Sequence, residues 1–192
     1  MKVINNKHHF MVDLETLSSE SNAHILETAL VCFDPVSGEV YKHGTFHVRH
    51  GLDKQAGAII SVETLEWWYK TNRGYLAKLL NPKDEDKEVL ASTLHRMQAL
   101  FDDARGDGGL LVWNTGMFDV ELLNNAFKRI INPNMTLINF WEVRDCRSLR
   151  TIGDMFPRLQ QTVPEATHNA YEDCIRQIGY ITDVTQYLAK QD

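Results

Sequence analysis

Apolar and polar positions change period several times along the chain. Phe10, Met11 and Val12 make a short apolar run, so His9 to Val12 reads as a strand that feeds Asp13-Leu14-Glu15. Ile25 to Phe33 is rich in apolar and β-branched residues and predicts a second strand. Asp34-Pro35-Val36-Ser37-Gly38 has turn chemistry. Val40 to Val48 alternates and predicts a third strand, which makes the first third an antiparallel meander. Helical spacing follows. Ser61 is positioned to cap a helix over Val62 to Lys70. Asn81 to Asp86 reads as a loop. Val89, Leu90, Leu94, Met97, Leu100 and Phe101 then recur on one helical face, until Gly106-Asp107-Gly108-Gly109 stops that helix. Leu110 to Trp113 is a continuous apolar run, as in a buried parallel strand. Phe118 to Ile130 returns to helical spacing, Leu137 to Val143 predicts another strand, and a long helix runs from about Asn169 to Leu188. The order is β-β-β-α-β-α-β-α: an α/β fold with a mixed five-stranded sheet, three antiparallel strands followed by parallel ones, flanked by helices.

Composition narrows the class. The chain of 192 residues fits one domain, 1–192, with 43% hydrophobic and 24% charged residues. The sequence has no apolar stretch of the roughly 18 residues that a membrane span needs. The N-terminus, Met1-Lys2-Val3-Ile4-Asn5-Asn6-Lys7-His8-His9, lacks the apolar core of a secretory leader. Cys32, Cys146 and Cys174 form no Cys-x-x-Cys pair, which argues against a zinc knuckle or disulfide framework and for the cytoplasm. The net charge of −6 excludes a protein that coats long duplexes by neutralising phosphates. It allows an enzyme that grips one strand end and takes its positive charge from bound cations.

The candidate chemistry lies in three short motifs. Asp13 and Glu15 are two apart at a strand end, so both carboxylates share a face and can reach one cation. Asp119 closes Asn114-Thr115-Gly116-Met117-Phe118-Asp119 at a helix start. His168 and Asp173 are five apart at the start of the last helix. Each motif alone has a plain alternative: a surface strand end for the first, helix-start preference for the aspartates. Together, four carboxylates and a histidine point to divalent cations with a general base beside them.

The joint pattern resembles the DEDD superfamily of 3′-to-5′ exonucleases, which have the ribonuclease H-like fold. Asp13-x-Glu15 matches that family's first motif. Asn114, Phe118 and Asp119 match its second, Asn-x-x-x-Phe/Tyr-Asp. His168-x-x-x-x-Asp173 matches the histidine form of its third, the DEDDh branch; the tyrosine form would need Tyr at position 169, which is Asn. The resemblance spans about Phe10 to Ile181. Thr64-Leu65-Glu66-Trp67-Trp68 and Arg144-Asp145-Cys146-Arg147 resemble segments of phage and prophage exonucleases of the exonuclease A and exodeoxyribonuclease VIII-like types, and more distantly RNase AS.

The resemblance implies a two-metal 3′-5′ exonuclease that releases 5′-mononucleotides from single-stranded DNA or RNA. Asp13 would bridge two Mg²⁺ or Mn²⁺ ions, Glu15 and Asp173 would complete one ion's ligands, and Asp119 would hold the second. His168 would take the proton from the attacking water. The positions expected to touch substrate are Leu14, Thr16, Leu17, Asn114, Met117, Phe118, Trp68 and Arg147. Core packing is the alternative for Leu14, Leu17 and Met117. Adjacent helical residues point about 100° apart, so at most one of Trp67 and Trp68 stacks on a base. Arg144 and Arg147 could contact phosphate, or pair with Asp145. His8, His9, His43, His47 and His50 read as surface or strand positions. Related enzymes are often homodimers, and the tryptophan pair offers apolar surface. Two rival readings are a catalytically silent nucleotide-binding module and an endonuclease of the same fold.

Overall fold

A computed structural model describes residues 7–156, 159 and 166–190. The N-terminal stretch considered above lies, through residue 6, outside them. Three strands come first: β1 (His8–Thr16), β2 (Ile25–Phe33) and β3 (Val40–Arg49). Helices α1 (Val62–Leu80) and α2 (Leu90–Gly106) lead to β4 (Leu110–Asn114) and α3 (Phe118–Ile130). A short strand β5 (Val143–Asp145), α4 (Cys146–Asp154) and α5 (Ala170–Ala189) complete the order. The five strands form one sheet in the order β3-β2-β1-β4-β5. β1 is antiparallel to β2 and parallel to β4, and β4 is parallel to β5.

That topology positions the site. Because β1 and β4 run parallel, with Met11 opposite Trp113, both carboxyl ends emerge at one edge of the sheet. Ligands of open α/β sheets bind at such edges. Alternation along β1 sends Phe10, Val12 and Leu14 into a core shared with α2 and α3. Met11 packs on the other side against Ala170, Cys174, Ile178 and Ile181 of α5. Asp13 and Glu15 share Met11's side, so they face α5.

Three local expectations are corrected. α1 does not stop at Lys70: Leu76 and Leu79 bury against Leu17, Leu26 and Trp68 and carry it to Leu80. It kinks at Asn72 (φ −152°), whose Oδ1 accepts from the Tyr75 N–H at 3.2 Å and restarts the helix. The strand expected over Leu137 to Val143 begins only at Val143. Leu137 and Ile138 are buried packing residues of the α2–α3 core, and a short 3₁₀ turn occupies Phe140–Glu142. Helix α4 was not foreseen. Its cap is Asp145, whose side chain accepts from the Arg147 N–H at 3.0 Å.

Candidate active site

Asp13, Glu15 and Asp173 come together: each offers a carboxylate oxygen, and the three oxygens lie within 4.8 Å of one another. Asp13 and Glu15 arrive from the end of β1. Asp173 arrives from the first turn of α5, which Asn169 caps by accepting from the Glu172 N–H at 3.0 Å. Asp173 is held by the N–H groups of Thr167 and His168 at 3.0 and 3.1 Å and by Arg176 Nε at 3.1 Å. Asp119 is buried in the first turn of α3. It stands outside the tight trio.

The electrostatics suit a cation site. Burial, followed by repulsion from Asp119, Glu15 and Asp173, pushes Asp13 well above the ordinary carboxylate range. Burial and the charges of Glu27, Asp173 and Asp119 push Glu15 up to about 9. Burial raises Asp119 to about 7, against its backbone hydrogen bonds and Arg147. Carboxylates crowded out of water strongly disfavour charge, and a divalent cation among them removes that penalty. An all-oxygen donor set of this kind fits Mg²⁺ or Mn²⁺.

His168 sits where the chain enters α5, with φ +55°, a left-handed conformation that costs a non-glycine residue about 1 kcal/mol. Its N–H bond to Asp173 helps hold that conformation. Its ring lies edge-on to Trp67 at 4.8 Å and to Trp68 at 6.0 Å.

The tryptophan assignment is corrected. Trp68 is 1% exposed, packs with Leu17 and Leu26, and donates its indole N–H to the Thr16 carbonyl at 2.9 Å. Trp67 beside it is 43% exposed. The two line one 220 Å³ cleft together with Glu15, Thr16 and Phe118.

The other expected substrate contacts divide. Leu17 is core, and Leu14 is buried in the α2–α3 core although its edge lines the cleft. Asn114 is fully buried and corrected to a turn-former: its side chain accepts from Met117 N–H at 2.7 Å and donates to the Arg144 carbonyl at 3.2 Å. That bond helps hold Met117 at φ +70°, half exposed before α3. Arg147 is exposed, and Asp145 caps α4 rather than pairing with either arginine. Arg144 Nη1 bonds the Trp141 and Val143 carbonyls.

Two residues were missed. Gln177 donates to Asp13 Oδ1 at 3.0 Å and accepts from the Thr115 hydroxyl at 2.8 Å. Its place four residues after Asp173, on one helix face, was the available signal. Glu27 is wholly buried opposite Glu15 in the β1–β2 register and accepts the Ala170 N–H at 3.1 Å, two residues beyond His168. A lone glutamate inside an apolar strand was its signal.

A mixed sheet with acidic side chains gathered at its carboxyl edge is the arrangement of the ribonuclease H-like fold. The chain belongs to the 3'-5' exoribonuclease Rv2179c-like domain family, whose model matches residues 8–185. It is also similar to an exodeoxyribonuclease of Enterobacteria phage T4, at 26% identity over 88% of this chain and 85% of that protein. Two solved structures share the fold. S. pombe Pop2p, in a form with Mg²⁺ and Mn²⁺ bound, covers 97% of this chain and 86% of its own, at TM-score 0.59 and 12% identity. E. coli Exonuclease I in complex with a dA16 oligonucleotide covers 96% of this chain and 43% of its own, at TM-score 0.62 and 13% identity. Among the described residues, no helix is long and apolar enough to cross a membrane.

Proposed function

We propose that residues 1–192 act as one 3′-5′ exonuclease domain that removes 5′-mononucleotides from single-stranded 3′ ends by two-metal hydrolysis. The carrying observation is the oxygen trio of Asp13, Glu15 and Asp173 within 4.8 Å. In this reading the trio holds one Mg²⁺ or Mn²⁺ ion. Asp13 and Asp119 would hold the second ion. The ions supply Lewis acidity and a lowered water pKa. His168 takes the proton from the attacking water, and its ring lies beside the cleft that would admit the terminal nucleoside. Trp67 and Phe118 offer apolar faces to that nucleoside. The cleft's small volume favours an unpaired end. A homodimer would draw on exposed apolar surface such as Phe140 and Trp141, 81% and 59% exposed.

The test is a digestion of 3′-ended RNA, single-stranded DNA, duplex DNA and circular single-stranded DNA with Mg²⁺ or Mn²⁺. Stepwise shortening of the linear single strands, with the circle intact, is expected. The circle cut internally would establish the endonuclease reading, and binding without shortening would establish the silent module. Asp13→Asn deletes the bridging charge, and its activity should fall at least about a hundredfold while the fold persists. Wild-type activity in Asp13→Asn would sink the assignment.

A further inference from the structure

Beside the carboxylate cleft lies a second cavity of 220 Å³ with the opposite character. Arg147 and Arg150, three apart on α4, share a helix face and line it with Arg176 of α5. No carboxylate lines it among the described residues, in a protein of net charge −6. Arg176 uses only Nε, on Asp173, and the guanidinium groups of Arg147 and Arg150 have no hydrogen-bond or ion-pair partner among the described residues. Gly116, at φ +80°, lets Arg147 lie on the β4–α3 loop: a side-chain carbon there would stand 2.8 Å from Nη1.

Tyr180 also lines the cavity, but its hydroxyl is buried against Gly153 of α4, so the polar groups open to the cavity are the arginines. Thr115 and Gln177 form the wall between this cavity and the catalytic carboxylates, since Gln177 lines the cavity and also bonds Asp13.

We propose that this cavity is a phosphate site that grips a backbone phosphate of the bound strand beside the one being cut. The inference rests on the exonuclease reading and deepens it. Three arginines with free planar donors match the oxygens of a phosphodiester. They also supply locally the positive charge that the chain as a whole lacks. The strand is thereby held at two adjacent points, by cations at the scissile phosphate and by arginines at its neighbour.

The test is fluorescence anisotropy of a labelled single-stranded oligonucleotide in Ca²⁺, repeated over a salt series. Arg150→Ala is expected to bind about tenfold more weakly. Its slope of log K against log salt should fall by about 0.7, the value for one lost phosphate contact on a single strand. Oligonucleotides carrying one neutral methylphosphonate at each of the last four linkages locate the contact. At one linkage other than the scissile one, wild type and Arg150→Ala should bind equally. A wild-type salt slope in Arg150→Ala overturns the proposal, as does a defect that persists at every substituted linkage or vanishes only at the scissile one. Free inorganic phosphate as the true ligand would show as competition without any linkage dependence, which also overturns it. Since the measurement reads binding, an inactive enzyme that keeps the arginine-dependent slope refutes only the exonuclease reading.

Discussion

Glu27→Gln should destabilise the protein by about 3 kcal/mol. Glu27 is 0% exposed in β2. Its oxygens accept from Arg49 Nε at 2.9 Å, the Tyr75 hydroxyl at 2.8 and 3.0 Å, and the Ala170 N–H at 3.1 Å, and His47 Nε2 stands 2.8 Å away. These partners tie β3, α1 and the start of α5 to one carboxylate. Removing one member of a buried ion pair costs roughly 3–5 kcal/mol. The lower end applies, because Arg49 keeps Asp86 at 2.9 Å and the His47 and Arg49 side chains are 26% and 16% exposed. At roughly 2–4 °C per kcal/mol for a chain of this size, Tm should drop by about 6–12 °C. Burial alone would raise Glu27, yet His47, the Ala170 N–H and Tyr75 hold it below its ordinary 4.5. A depressed carboxylate contributes stability above the ordinary value and loses it as pH falls through the folded one. The two proteins should therefore differ fully at pH 7 and converge in acid. Urea unfolding followed by circular dichroism across pH reads both effects. A difference under about 1 kcal/mol at pH 7, or one that widens in acid, refutes the account.

The adjacent tryptophans should separate. Trp68→Ala should cost about 3–5 kcal/mol of stability in urea unfolding, as for a fully buried aromatic. Trp67→Ala should leave stability nearly unchanged and weaken oligonucleotide binding by about 1–3 kcal/mol, read by anisotropy. His50 is fully buried, with Nδ1 against the Glu88 carbonyl and Nε2 against the Thr28 hydroxyl, and burial lowers it to about 4. The unfolded chain takes up that proton near pH 6.5 and the folded chain does not, so stability falls by about 3 kcal/mol between those values as pH drops. In denaturation from pH 7 to 4, the difference between wild type and His50→Gln should carry this slope, because the raised Asp13 and Glu15 act oppositely in both proteins. Gln177→Leu should lower kcat about tenfold with the fold intact, since it frees Asp13 to turn from the trio; steady-state kinetics and a melting curve together check it.

Much of the site was legible because its motifs are local. Asp13-x-Glu15 depends only on strand alternation, and His168 with Asp173 only on one helix entrance. The boundary errors arose where distant packing decides. α1 runs past Lys70 because Leu76 and Leu79 find Leu17 and Leu26, far away in sequence. The last strand shifts to Val143 because its partner is β4, with Val112 opposite Val143. Helix α4 is only nine residues long, so its apolar positions Cys146, Leu149 and Ile152 span too few turns to announce a helix, and two of the phosphate-site arginines lie on it.

The periods of the main elements, the order of the three motifs and the identity of the four carboxylates and the histidine are legible before the chain folds. Each is written into residues within a few positions of one another. Folding brought Asp13, Glu15 and Asp173 into the tight trio and left Asp119 just outside it. It also turned Trp67 to the cleft and Trp68 to the core, made Asn114 a turn-former, and set Glu27 and Gln177 behind the site. Those outcomes depend on which face of one element meets another, and that is fixed by packing across the whole sheet rather than by any local pattern.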